Sequence, residues 1–447
     1  MAKRLGNVGV GTNFYDGYQT PSGIDAAAAG DRTVSYPSSI VLLSGTYPNG
    51  FSLSNIAGNP VTVASTGSIS SVTGGIALYG ESQAGRPDYL FPWDITNLGR
   101  IAAVGSTSTG VLLEGGGTVV NGKTGGGGEY ISGGRQAISV AHAAGMVTNF
   151  ATVSATATNG IGIYLHAGGR VTNRGVVRGA QTGVELAGGA TLANYGHIYG
   201  TGSILSYGVI LNGTGGNFLT NSATGYIGAS QGWSVLGTAG PATIVNSGTI
   251  KNGIRLEDGG NVINGQPGAT VGLIGDSFGV DIRGGTGTVA NYGAINFAPS
   301  SFGVRLRGGG SVRNAQNALI SGAHGNDGVI IYGGSATVGN FGLILAAGTD
   351  GGAGVFLGNG GSVTNGAANA AAAVIKDDAA AKDIGIEISN AAGTVANYGI
   401  VSGGYGIFLR AGGTVSNAAS AASVTGQYEG IIISTTTGGS ITNLGTI

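Results

Sequence analysis

Gly188-Gly189-Ala190-Thr191-Leu192-Ala193-Asn194-Tyr195-Gly196-His197-Ile198 is one copy of a frame that recurs along the chain: small-Gly-Gly, then x-Val-x-Asn-x-Gly-x-Ile. The Asn of this frame belongs to a column formed by Asn97, Asn121, Asn149, Asn173, Asn194, Asn221, Asn246, Asn264, Asn291, Asn314, Asn340, Asn365, Asn397, Asn417 and Asn443. The spacing averages about 25 residues, a period that belongs to solenoids.

About a dozen residues before each Asn stands a second element, Gly-[Val/Ile]-x-[Leu/Ile], as in Gly183-Val184-Glu185-Leu186 and Gly303-Val304-Arg305-Leu306. Both elements alternate apolar with other residues at period two, the mark of short strands with one buried face. Gly and Asn punctuate them, so the Asn column is expected at turns with positive φ. Three short strands and three turns fill one period. The sequence therefore predicts an all-β fold: a single parallel β-helix, or β-solenoid, of about 16 coils and roughly 75–80 Å at one strand spacing per coil. Right-handed winding is expected from the general chirality of parallel connections. Ala-rich residues 370–382 are predicted to leave the coil as a short helix.

A two-coil super-repeat overlies the period. Leu98, Phe150, Tyr195, Tyr292, Phe341, Tyr398 and Leu444 follow the Asn in one set, with Ser247 the exception. Gly122, Gly265, Ala315, Gly366 and Ala418 follow it in the other, with Arg174 and Ser222 as exceptions. Alternating large and small side chains pack an edge more densely than a ring on every coil could.

Composition narrows the function. Of 447 residues 94 are Gly, yet 41% are hydrophobic. Glycine has no three-residue period, which excludes collagen. Charged residues make up 9% and the net charge is −1, so no basic face points to nucleic acid. Cysteine is absent, which excludes disulfides, thiolate metal sites and Cys nucleophiles. No apolar run of about 18 residues suggests a transmembrane helix, and no signal peptide is apparent.

Gly117-x-x-x-x-Gly122-Lys123-Thr124 matches the phosphate-loop pattern, but Gly125–Gly128 follow where that loop needs a helix. Glu114, His142 and His166, each seven residues before its Asn, form a candidate metal set if the coils stay in register. The simpler expectation for them is a solvated ladder, with no metal and no cofactor. Arg255, Asp281 and Arg305 fall on successive coils and are expected to form a cross-strand charge ladder and not a catalytic trio. Asp377, Asp378 and Asp383 are expected to be solvated. No catalytic residues are assigned, and the chain is not expected to be an enzyme. The outward column turns apolar at Ile330, Phe356, Phe408 and Ile432, a stripe that reads as a contact surface.

Residues 1–58 do not fit the repeat and are read as an N-terminal cap or assembly segment, with 59–447 as the β-helix. The sequence stops within a coil, and its open edge is expected to be covered by another chain. Assembly contacts are assigned to Asn443, Leu444 and Ile447 at one end and to Phe14, Tyr15 and Tyr18 at the other, with lateral contacts through the apolar stripe.

The coil Ala392-Gly393-Thr394-Val395-Ala396-Asn397, continuing to Gly413-Thr414-Val415-Ser416-Asn417, resembles the Gly/Asn-rich β-helical repeats of bacterial surface proteins, the autotransporter passengers and filamentous-haemagglutinin-like adhesins. The likeness covers about residues 60–447 and extends to neither their membrane barrel nor their secretion domains. It implies an extracellular or cell-surface location and a structural or adhesive role. The combined expectation is a structural subunit of a self-assembling extracellular filament or surface matrix. Its principal partner is itself, head to tail, with cell-surface or matrix polysaccharide as a further partner. The alternatives are a surface adhesin module that binds glycan or a host surface and, third, a polysaccharide-active enzyme.

Overall fold

In the computed structural model the described residues are 40–53, 58–82, 91–268, 272–295, 301–323, 327–347, 351–368, 372–378, 383–434 and 438–447. They form a parallel β-solenoid with three strands per turn. The turn Gly145–Asn149, Thr152–Ala155, Ile161–Leu165 is representative. The first strands of successive turns, those that end in the Asn, build one parallel sheet of 17 strands. Second and third strands stack in the same way in a sheet of 30. Register is strict: Gly117-Thr118-Val119-Val120-Asn121 faces Gly145-Met146-Val147-Thr148-Asn149 residue for residue.

Strict register lines up like with like. Val119, Val147, Val171 and Leu192 stack as one fully buried interior column, and Ile101, Ile131, Val153 and Val177 as another. Each such side chain contributes about 1.5–3 kcal/mol of burial. That outweighs the roughly 0.5–1 kcal/mol that an interior glycine costs, which is how so glycine-rich a chain holds a core. Close approach demands some of those glycines. At Gly169, with φ +120°, a Cβ would fall 2.0 Å from the Gly145 carbonyl oxygen.

Stacking begins earlier than residue 59. Val41–Leu43 pairs with Val61–Val63, Thr46–Tyr47 with Ser68–Ser70, and Phe51–Ser52 with Ile76–Gly80. These turns lack the Asn: Leu43 and Val63 stand in register with Asn97, so the Asn column could not reveal them. Phe14, Tyr15 and Tyr18 lie outside the described residues.

The expected helix at 370–382 is overturned in its described part. Val374–Asp377 is a strand, paired with Leu343–Ala347 on one side and Ile400–Leu409 on the other. Parallel pairing on both edges, with Ile375 fully buried, overrides the helical preference of alanine. No α-helix occurs among the described residues.

The two-coil beat has a cause deeper than side-chain size. After Asn97, Asn149, Asn194, Asn246, Asn291, Asn340 and Asn397 the second strand starts three residues on, at Arg100, Thr152, His197, Thr249, Ala294, Leu343 and Ile400. After Asn121, Asn264 and Asn365 the corner is longer, and the strand waits until Tyr130, Leu273 and Val374. The small residue of those long corners is a glycine with φ of 80°, 81° and 83° at Gly122, Gly265 and Gly366. Tight and long corners alternate from Asn194 onward, whereas Asn149, Asn173 and Asn194 make three tight corners in a row. Corner length accounts for two of the three exceptions: Arg174 is large on a tight corner, its strand starting at Val176, and Ser222 is small on a longer one, its strand starting at Tyr226, whereas Ser247 is small although its corner is tight. The Arg174 guanidinium lies 4.4 Å from the centre of the Tyr195 ring on the next tight corner.

Candidate functional site

Every Asn of the column is turned inward, not placed at a positive-φ turn. Fourteen of the fifteen, Asn97 to Asn417, are buried, and Asn443 is exposed. None has positive φ. Each Nδ2 donates to the Oδ1 of the next Asn at 2.8–2.9 Å, an unbroken series from Asn97 to Asn443. The same amide clamps its corner. Asn246 Nδ2 also donates to the carbonyl of Gly248, the residue before the second strand, and to Leu273 O at the start of that strand one turn on. Long corners are closed in the same way: Asn264 reaches Gly272 O and Ala294 O. A short amide carries both donor and acceptor on one rigid group, so it satisfies buried carbonyls and passes one bond upward. The ladder is polar, with every donor pointing toward the C-terminal turn. At its last rung Asn443 Oδ1 accepts from Asn417 and from Gly445 N.

The other predicted site residues fare differently. Glu114, His142 and His166 do not share a column. Strand register sets His166 and Glu114 against Ala141, because one extra residue lies between Val140 and Gly145. His142 sits in that bulge at φ 60° and bonds the Glu114 backbone carbonyl at 3.0 Å through Nδ1. His166 stacks on Tyr164 and bonds Ser139 Oγ. Burial, reinforced by His142 and Arg135, pushes its pKa down to about 4. No group of three His, Asp or Glu able to hold a metal occurs among the described residues.

Asp281 and Arg305 do stack, and the pairing is denser than the sequence suggested. Asp281 is fully buried and takes Arg305 through two bonds of 3.0 and 2.9 Å, Arg283 at 2.9 Å and Arg307 at 3.2 Å. Arg255 turns aside to Glu257, which Arg283 also approaches. The apolar stripe is in register, Ile330–Phe356–Glu387–Phe408–Ile432, but it is not open to solvent. Ile330 is buried and the rest are half-buried; Tyr332 leans on Phe356, and the Arg410 guanidinium lies over Phe408 while bonding Glu387. Asp378 is exposed beside Lys376, whereas Asp377 and Asp383 are buried, contrary to the expectation that all three are solvated.

Two carboxylates carry a pH signature. Burial pushes Glu185 up to about 7 against the pull of the Asn212 amide, and burial pushes Asp327 up to about 7 against its bond from Ala353 N. With folded pKa values above the unfolded ones, the native state binds more protons between pH 4.5 and 7. These groups therefore lower stability as pH rises through that window. His166, depressed in the fold, works the other way below about pH 6.5 but is one group against two. Glu185→Gln is expected to raise stability at pH 8 by up to about 3 kcal/mol and to have little effect at pH 4.5. Hydrogen-exchange protection of Thr182–Ala187 and its neighbour Tyr207–Asn212 at the two pH values checks this.

One cleft opens on the outer face of the second strands. Tyr199, Gly228 and Lys251 are consecutive neighbours across three turns, since Tyr199 pairs with Gly228 and Lys251 N bonds Ile227 O. Gly228 leaves a dip between them. The Tyr226 ring folds over it, so that a Cβ there would meet ring carbon at 2.7 Å. Tyr199 and Tyr226 are 5.3 Å apart between ring centres, with His197 about equally close to both. Lys251 and Asp276 close the far side, 3.5 Å apart. The space measures 240 Å³. Sequence reading missed this site, because its tyrosines come from two turns and its floor is a glycine. No family model matches this sequence, and neither a curated protein nor a solved structure matches it.

Proposed function

We propose that this chain is a structural subunit of an extracellular filament or surface matrix, a stiff β-solenoid that copies of itself extend end to end. The observation that carries this reading is the Asn ladder. It ties each turn from Asn97 onward to the next through a buried amide, above a continuous aliphatic interior. Such a design favours axial cohesion over a reaction centre. The joint is assigned to Ile441, Leu444 and Ile447, which are 49, 67 and 50% exposed beside the last amide of the ladder. Ile40, just before the first described strand Val41–Leu43, and Leu42 within it are 71 and 62% exposed and are the proposed apolar counterpart on a second copy. Leu43 and Val63 fill the Asn column there, so the joint is an apolar contact and not a continuation of the amide ladder.

Negative-stain microscopy and sedimentation of the full chain test the reading. End-to-end filaments are expected, and Leu444→Asp combined with Ile447→Asp is expected to reduce them to single rods. A monodisperse monomer at high concentration would overturn the proposal, and filaments unchanged in the double variant would overturn the assigned joint.

A further inference from the structure

We infer that the cleft between Tyr199, Tyr226, Lys251 and Asp276 binds a neutral saccharide. The inference is independent of the filament reading, since it concerns the side of the solenoid and not its joint.

The walls carry the argument. Two half-buried tyrosine rings stand side by side, one from each of two adjacent turns. The faces of sugar rings are apolar C–H surfaces with hydroxyls around the rim, and an aromatic face flanked by polar groups complements them. Each tyrosine is held in place. The Arg178 guanidinium lies 5.5 Å from the centre of the Tyr199 ring, and Tyr226 lies against the bare backbone at Gly228. The Tyr226 phenol is a hydrogen-bond donor at neutral pH, and burial, with Tyr199 and Asp276 nearby, raises its pKa further.

Polar groups on the opposite wall complete the recognition. Lys251 and Asp276 are 47 and 41% exposed and held at 3.5 Å, a loose pair. Lys251 can donate to, and Asp276 accept from, neighbouring hydroxyls of one ring. The two charges cancel, and among the described residues no other charged side chain lines the cleft. That balance favours a neutral sugar over a uronate or a sulfated one. At 240 Å³ the cleft is smaller than the range of about 300–1,000 Å³ typical for drug-sized ligands, and it suits one sugar ring. Its lining comes from four successive turns, from Tyr199 to Asp276, a run of roughly 14–15 Å along the solenoid. Flanking rings of an oligosaccharide can therefore lie along the same face.

The test is saturation-transfer NMR on the full chain with three neutral tetrasaccharides, a β-1,4-glucan, a β-1,4-mannan and a β-1,4-galactan, and a tetragalacturonate control. Transfer to at least one neutral probe is expected, weakened about tenfold or more by Tyr226→Ala and by Lys251→Met. Tyr398→Ala, far from the cleft, is expected to leave it unchanged. Far-UV circular dichroism of each variant separates lost binding from lost fold, and Tyr199→Phe, which keeps the ring, is expected to retain binding. No transfer from any neutral probe at millimolar concentration would overturn the assignment. So would transfer that survives Tyr199→Ala combined with Tyr226→Ala, or transfer from the uronate alone.

Discussion

Asn246→Val is expected to cost about 2–4 kcal/mol and to loosen the solenoid from the middle. The valine cannot receive the Asn221 amide or supply the Asn264 oxygen, and Gly248 O and Leu273 O lose a donor. Asn221 keeps its bonds to Gly225 O and Thr249 O, so the damage falls mainly on the C-terminal side of the break. Asn97→Val should be somewhat milder, because Val63 precedes it in the column and no amide from the preceding turn loses its acceptor, although Asn121 Oδ1, Gly99 O, Tyr130 O and Gly99 N each lose a partner. Asn246→Asp should be worst near neutral pH. One oxygen still accepts from Asn221, but the other meets Asn264 Oδ1 and two carbonyls, all acceptors. Its folded pKa is then raised, so its stability falls as pH rises above the normal carboxylate range. Solenoids unfold turn by turn, which makes a single midpoint a poor reporter. Hydrogen exchange is the better measurement, with protection lost first around Ala242–Asn246 and Gly260–Asn264. Equal protection in Asn246→Val and wild type would show that the aliphatic columns alone hold the turns.

The Asn column and the period-two strands were legible because burial imposes them on every turn and the same residue type recurs in register. Where a position is occupied differently, the pattern is blind. Leu43 and Val63 belong to the same column as the asparagines, and the turn of Leu43 falls in the segment read as a cap for want of an Asn. Counting residues back from the Asn placed His142 with Glu114 and His166, and a single inserted residue at the corner undid it. Local composition misled at Val374–Asp377, where alanines favoured helix but two neighbouring strands dictated the backbone. The interior orientation of the Asn was missed for a related reason. Asparagine is common at turns, and the bond that explains it here is to another asparagine one full turn away. The cleft at Tyr199 depends on that residue facing Gly228 across turns, a pairing no local motif announces.

Asp281→Ala is the second large effect, expected to cost about 3–5 kcal/mol. Arg283, Arg305 and Arg307 converge on this one fully buried carboxylate, and Glu257 engages only Arg255 and Arg283. Burial alone would raise the Asp281 pKa, but Arg305 and then Arg283 more than reverse it, so the net shift is downward. A depressed folded pKa means stability that is present above the unfolded value and lost as pH falls through the folded one. Wild type should therefore lose this contribution as pH falls below the ordinary aspartate range, and Asp281→Ala should lack it at every pH. Without the carboxylate, three guanidinium groups face one another, which 1 M salt should partly relieve because its Debye length is about 3 Å. Asp281→Asn keeps the shape without the charge and should fall between the two. Removing Arg305 as well, as Arg305→Leu, should recover part of the loss, since the Phe302 ring 3.9 Å from that guanidinium offers an apolar surface for the leucine. Hydrogen-exchange protection of Ile254–Leu256, Val280–Ile282 and Val304–Leu306 in the four proteins at low and high salt decides it. An Asp281→Ala variant as stable as wild type at low salt would mean that the arginines hold themselves apart and that the buried aspartate contributes nothing net.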